Sequence, residues 1–340
     1  MLNQEFVNWQ SINLKAPWDL EGNSNTLFPL NNYFKLLDRL YISREELVDQ
    51  YNIFKGYIVS DKIINQQLTN NWLWGFYLPF FANLTKYLKT ESKPLIFGIS
   101  GLPGSGKSSL GRKIEQISKY LDLTINVISM DDFYLPANDM EKAIQDNPWN
   151  VPRGIPGSHS IDEMNTTLKN YSKTGVLSAP TFDKSLRNGL GDRSGSIKTS
   201  PKVLILEGWF LGCIPIENIE GEDLLANKIY DPPLSSSEIS FRNKIQDSLI
   251  EYVPIWNYFN KIWHIKAEHF SYTSSWKVEQ EMNMQLKRGS SLKGDQLKSF
   301  IRMINTAIPQ ESLQNINSDF VIIINKMREI IYSGINKDHL

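Results

Sequence analysis

The chain has one cysteine, Cys213, so it can build neither an internal disulfide nor a cysteine metal centre. That suits a reducing compartment, and the sulfur reads as a buried, inert thiol. Histidine is scarce too, with four in 340 residues, and His264 and His269 read as structural. Neither sign of charge is in excess: Lys+Arg total 36 against Asp+Glu 37, a net charge of -1. No global field draws the protein to nucleic acid or to an anionic membrane, so any phosphate must be gripped locally. Long apolar runs are missing as well. The most apolar stretch, Trp72 to Leu84, contains Pro79 and falls short of the roughly 20 residues that span a bilayer, so it reads as a buried helix. The first twenty residues lack the basic-then-apolar order of a secretory signal and the Arg/Ser bias of a transit peptide, and a cytoplasmic protein is expected.

What is present argues for a folded α/β chain. Hydrophobic residues at 41% exclude a disordered polymer. From Asn31 to about Thr90 the spacing is helical, and Ser43 with Glu46 forms the Ser-x-x-Glu pattern of a helix start. Residues 1 to 30 read as irregular structure or short helices. Leu95 to Ile99 then forms a continuous apolar run, as in a strand covered on both faces. Leu110, Ile114, Ile117 and Leu121 mark the face of a following helix, Thr124 to Met130 a second strand, and Ile161, Met164, Leu168 and Tyr171 another helix. Val203 to Leu206, Ile262 to Ala267 and Asp319 to Ile324 are the next strands. This alternation predicts an α/β fold with right-handed crossovers, a parallel sheet flanked by helices over 91–340, which the glycine-rich motif from Gly101 to Ser108 makes P-loop NTPase-type, and a helical N-terminal region over 1–90. Between Asn147 and Ser200, Pro, Gly and charge dominate, which predicts long loops over a site.

The sharpest motif is Gly101-Leu102-Pro103-Gly104-Ser105-Gly106-Lys107-Ser108, followed by Ser109. It fills G-x-x-x-x-G-K-[ST] between a strand and a helix, as phosphate binding requires. The glycines let the backbone aim its N–H groups inward. The helix start adds partial positive charge, Lys107 reaches the outer phosphates, and Ser108 can ligate Mg²⁺. A chance match in a chain this long has odds on the order of one in a hundred, so nucleotide binding is the reading.

In an open parallel sheet ligands lie outside the carboxyl ends of the strands. Two acids stand there. Asp131-Asp132 follows the second strand, where a carboxylate can take the proton of an attacking hydroxyl, hold Mg²⁺, or merely cap a turn. Glu207 ends the strand from Val203, as the metal-supporting acid of a Walker B strand does. Arg153 and His159 lie in a stiff Pro/Gly loop: Arg suits a carboxylate or phosphate, and His159 either donates to a substrate oxygen or holds the loop. Lys184, Arg187 and Arg193 are candidate cations for a transferring phosphoryl group.

Taken in order, the phosphate loop, Asp131-Asp132-Phe133-Tyr134-Leu135, Arg153-Gly154 through Pro156-Gly157-Ser158-His159, Phe182-Asp183-Lys184-Ser185, Gly191-Asp192-Arg193 and Leu206-Glu207-Gly208-Trp209 resemble the D-glycerate 3-kinase family. That family is related to uridine kinase, phosphoribulokinase and pantothenate kinase, and the likeness runs from about Pro94 to Asp319. It implies transfer of the ATP γ-phosphate to the 3-hydroxyl of D-glycerate, as in photorespiratory salvage. It also implies Asp131 as the hydroxyl-activating base, with Lys107, Lys184 and Arg193 aiding catalysis. Asp132, Tyr134, Arg153, His159, Asp183 and Lys184 would contact the substrate, and Ser108 and Glu207 the metal. Ser160 stands where the family usually has Asp after His159, Phe182 replaces a Tyr, and Trp276-Lys277, followed by Glu281, replaces a Trp-Arg pair. Residues 1–90 carry no motif that transfers.

Two other readings stay open at this level. One is a kinase for another hydroxylated metabolite, such as a nucleoside or pantothenate. The other is a non-catalytic NTP switch, although no Asn-Lys-x-Asp motif follows a strand. Oligomeric state is not legible.

Overall fold

The computed structural model describes residues 16–20, 28–60, 69–225, 227–289 and 291–336. The chain divides into two compact units, 1–92 with 320–340, and 93–319.

The first unit is built on helices. α1 spans Leu30–Arg39 and α2 spans Arg44–Ser60. The Ser43 Oγ accepts from the Glu46 N–H at 3.1 Å, and Glu46 Oε2 accepts from the Ser43 N–H at 2.7 Å, so the expected reciprocal cap closes the start of α2. The apolar run forms one buried helical stretch. A π-helical turn, Leu73–Tyr77, leads into α3, Leu78–Thr90, and every residue from Leu73 to Leu84 is buried. Pro79 falls inside this stretch and cannot donate to the turn before it; there the Trp74 carbonyl accepts from the Tyr33 hydroxyl and the Gly75 carbonyl from the Ser333 hydroxyl, each at 2.6 Å. Most of residues 1 to 30 lies outside the described residues; Pro17–Leu20 is a single 3₁₀ turn.

The second unit carries four parallel strands in the order β2-β5-β1-β6. They are β1 (Leu95–Gly101), β2 (Ile125–Ser129), β5 (Val203–Gly208) and β6 (Lys261–Ala267). β1 and β5 are buried at every residue, which is why they read as unbroken apolar runs rather than as alternation. α4 (Lys107–Tyr120) follows β1 and buries Leu110, Ile114 and Ile117, while Leu121 is its half-buried cap. Gly111 of α4 lies against Val127 of β2, and a side chain there would enter that valine.

Segment 147–200 is more ordered than its composition predicts. After α5 (Ala137–Ala143) come α6 (Ile161–Thr174) and an antiparallel hairpin, β3 (Leu177–Asp183) with β4 (Asp192–Thr199). The hairpin has the composition of a loop because its strands carry Ser, Thr, Gly and a Pro in place of a bulky apolar face. Its Leu177 and Ala179 are buried all the same. Further on lie α7 (Ile219–Leu225), α8 (Ser236–Trp256), α9 (Tyr272–Arg288), α10 (Gly294–Thr306) and α11 (Gln310–Gln314).

β7 (Phe320–Ile324) and β8 (Ile330–Ile335) form an antiparallel pair. These residues, which follow the kinase-like part of the chain in sequence, cluster with the N-terminal helices. The links are specific: the Asn32 amide donates to the Tyr332 hydroxyl at 3.0 Å, and the Ser333 hydroxyl donates to the Gly75 carbonyl at 2.6 Å. Among the described residues no helix is long and apolar enough to cross a membrane.

Candidate active site

The phosphate loop turns at the carboxyl end of β1. Gly104 and Gly106 take left-handed conformations, φ +78° and +99°, that only glycine adopts without strain. The loop is held from outside by α9: the Thr273 hydroxyl donates to the Pro103 carbonyl at 2.9 Å, and Trp276 lies directly on Gly104. Lys107 is buried and donates to the carbonyls of Gly101 at 2.6 Å and Leu102 at 3.1 Å. Burial draws its pKa down, against the pull of Glu207 and Asp131. The Ser108 hydroxyl donates to Glu207 Oε1 at 2.7 Å, so the two expected metal-side groups meet, one in the first turn of α4 and the other near the end of β5. Among the described residues no cluster of three or more His, Cys, Asp or Glu is set to cage a metal. A hydroxyl beside one carboxylate is the donor set that suits Mg²⁺, which keeps its waters and takes most remaining ligands from phosphate.

Asp131 and Asp132 part company on the 3₁₀ turn after β2. Asp132 Oδ2 accepts from the Ser129 N–H at 2.9 Å and its Oδ1 from the Phe182 N–H at 3.4 Å, so it clamps the turn to β3. Asp131 is left facing the site. Its Oδ2 is paired with the Lys184 ammonium, and its Oδ1 lies 4.0 Å from His159 Nε2. Burial pushes the Asp131 carboxyl up, but the charge of Lys184 and the nearness of His159 outweigh it and hold it well below the usual carboxylate range. Burial would lower the Lys184 pKa; Asp131 reverses that and raises it. Lys184 is aimed by its neighbours, since Asp183 Oδ1 accepts from both the Ser185 N–H at 2.8 Å and its hydroxyl at 2.6 Å.

The other cations are more committed than their sequence context shows. Arg153 is buried and donates to the carbonyls of Gly189 at 2.8 Å and Leu190 at 2.5 Å. Arg193 donates to the Tyr134 carbonyl and pairs with Glu163 at 2.7 Å, bracing the turn that carries Asp131. Arg187 pairs with Glu141 at 2.7 Å on the surface. Tyr134 stacks on His159 with ring centroids 4.4 Å apart and meets Phe182 edge-on.

Two further groups have surroundings that their sequence context hides. Lys277 pairs with Glu281 at 2.6 Å, lies 4.4 Å from the Phe300 ring centroid and feels the charges of Lys184 and Arg153. Its i,i+4 spacing to Glu281 was visible, its burial was not. Tyr252 of α8 meets His159 Nδ1 at 2.8 Å. It shares a helical stripe with Phe241, Ile245 and Leu249, so in sequence it looks like any core aromatic.

No protein-family model matches the chain. Relatives do. It is 30% identical over 239 residues to "Probable ATP-dependent kinase TDA10" of Saccharomyces cerevisiae, covering 64% of this chain and 78% of that one. It is 28% identical to the chloroplastic D-glycerate 3-kinase of Arabidopsis thaliana over 67% of this chain, and spans about half, 52%, of that longer protein. The solved D-glycerate 3-kinase of Cryptococcus neoformans superposes with a TM-score of 0.63 at 27% identity, covering 74% of this chain and 94% of that one. A phosphate loop, a carboxylate and a lysine at the strand ends, and this kinship lead to one conclusion: the chain belongs to the D-glycerate 3-kinase family of P-loop kinases and is a small-molecule kinase.

Proposed function

We propose that the protein transfers the γ-phosphate of ATP to a hydroxyl of a small hydroxy acid, D-glycerate, giving 3-phosphoglycerate and ADP. The observation that carries this is Asp131, ionised by its pairing with Lys184 and open toward His159, within electrostatic reach of Lys107 of the phosphate loop. In the reaction the acceptor oxygen forms a bond to the γ-phosphorus as the bond to the β-phosphate oxygen breaks. The hydroxyl proton passes to the Asp131 carboxylate. Lys107 and the loop amides hold the phosphates, and Lys184 stands beside both the base and the acceptor. Ser108 and Glu207 would hold Mg²⁺, which supplies charge neutralisation on the phosphates.

An anionic acceptor suits the cations around Asp131. A nucleoside acceptor would need a free aromatic slot, and the rings here, Tyr134, His159 and Phe182, are packed on one another. The test is ADP release from ATP with D-glycerate, glycerol or uridine as acceptor. We expect turnover with D-glycerate only, because glycerol keeps the hydroxyls but lacks the carboxylate. Turnover with uridine and none with D-glycerate would overturn the reading.

Lys277 is coupled by charge to Lys184 and Arg153, and from that we expect a pH dependence of acceptor binding. Burial pushes its ammonium down to about 8, against the opposing pull of Glu281. It is charged below that pH and neutral above it, so the KM for D-glycerate should rise as pH passes about 8 while the KM for ATP stays level. Lys277→Met should show the high KM throughout. A steep rise retained in that variant would assign the limb to another group.

A further inference from the structure

His159 has two ring nitrogens with different tasks, and which one carries the proton is decided outside the site. Its side chain is fully buried, and Nε2, 4.0 Å from Asp131 Oδ1, has no hydrogen-bond partner. Nδ1 faces the Tyr252 hydroxyl at 2.8 Å. That same hydroxyl oxygen accepts from the Gly157 N–H at 3.1 Å. Tyr252 is also fully buried, so its own proton needs an acceptor within the protein.

Only one tautomer of the neutral ring leaves both the Tyr252 proton and the Gly157 N–H paired. With Nδ1 bare, the Tyr252 O–H donates to it, the Gly157 N–H is taken, and the proton on Nε2 points at the Asp131 carboxylate. With the proton on Nδ1, the Tyr252 proton is stranded and the Nε2 lone pair faces a negative charge. Burial keeps the imidazole on the neutral side, more strongly than Asp131 opposes it, so a choice of tautomer exists.

The geometry assigns Tyr252 the part of a positioning residue: through Nδ1 of His159 it holds the proton on Nε2, on the side that faces Asp131. An acceptor hydroxyl bound to both groups would donate to Asp131 Oδ1 while its oxygen accepts from Nε2–H, which fixes one direction of attack. The inference rests on the reading of Asp131 as the proton acceptor, and its primary test does not depend on which acceptor is phosphorylated.

That test is NMR of the isotope-labelled imidazole nitrogens of the 340-residue chain near neutral pH, assigned with His159→Gln. In the wild type, His159 should show a protonated Nε2 and a bare Nδ1. Tyr252→Phe keeps the ring packing on Phe210 and Trp256 but removes the donor. It should shift His159 away from the Nε2–H form and lower kcat with D-glycerate by roughly tenfold to a hundredfold, the scale of loss known for outer partners of metal-binding histidines. The KM for ATP should not change. A wild-type His159 protonated on Nδ1 overturns the proposal, and that measurement decides the matter if the variant does not fold. So does Tyr252→Phe with wild-type kcat, or with a reduced kcat and an unchanged tautomer.

Discussion

Asp131→Asn is expected to lower kcat by about a hundredfold to ten-thousandfold, the range that a positioned proton acceptor supplies. The KM for ATP should stay within a few-fold of wild type, because the amide is nearly isosteric and the phosphate loop is untouched. Asp132→Asn is the matched control. Both Asp132 oxygens accept backbone N–H groups, so its loss should cost about 1 kcal/mol of stability and leave kcat within several-fold of wild type. The two variants separate chemistry from scaffolding at adjacent positions. A pH series adds a second readout. The folded pKa of Asp131 is depressed, so its pairing with Lys184 contributes stability above the ordinary carboxylate range and loses it as pH falls through the folded value. Thermal denaturation should show that acid limb in the wild type, and Asp131→Asn should flatten it. Equal loss of kcat in both variants would remove Asp131 from its assigned role.

Gly104→Ala should be the most damaging change in the phosphate loop. A Cβ at Gly104 would lie 2.5 Å from the Trp276 Cβ and 2.8 Å from its backbone carbon, and a backbone neighbour cannot swing aside. Overpacking of this kind costs about 1–3 kcal/mol, with the left-handed conformation adding roughly 1 more. The melting temperature of the ATP-free protein should fall, and ATP affinity should drop at least about tenfold as the loop shifts. Gly106→Ala is the comparison. Its φ is also positive, but nothing lies within 4 Å of the added methyl, so the free protein should lose less stability. Calorimetric melting of both variants checks the order. Gly106→Ala melting below Gly104→Ala would mean that the seat of Trp276 on the loop is not what holds it.

How much of this was legible in sequence depended on whether the function of a residue is written in its near neighbours. The phosphate loop was, because a curled backbone needs glycines at fixed spacing and the lysine and serine follow directly. Ser43 with Glu46 was legible for the same reason: the cap closes over three residues. Asp131 was legible in place, as an acid after an apolar strand. What freed it for the site was not, since that depends on Asp132 reaching the Phe182 amide some 50 residues on. Arg153 and Arg193 announce charge in sequence. The structure spends that charge on carbonyls of Gly189, Leu190, Phe133 and Tyr134, and nothing in their flanking residues shows which distant carbonyls take it up. Tyr252 lies furthest beyond local reading, 93 residues from His159 on a helix whose stripe looks purely structural. Trp276 carries the same lesson from the other side, because a bulky aromatic on a helix gives no sign that it is seated on the backbone of a loop far away in sequence.

The most direct test of the account is the product itself. Phosphorus NMR of a reaction containing the protein, ATP, Mg²⁺ and D-glycerate should show ADP and 3-phosphoglycerate growing in equal amounts. The same mixture with Asp131→Asn should show almost no product. Release of inorganic phosphate alone, or a phosphate on the 2-hydroxyl of glycerate, would contradict the placement of the acceptor hydroxyl between Asp131 and His159.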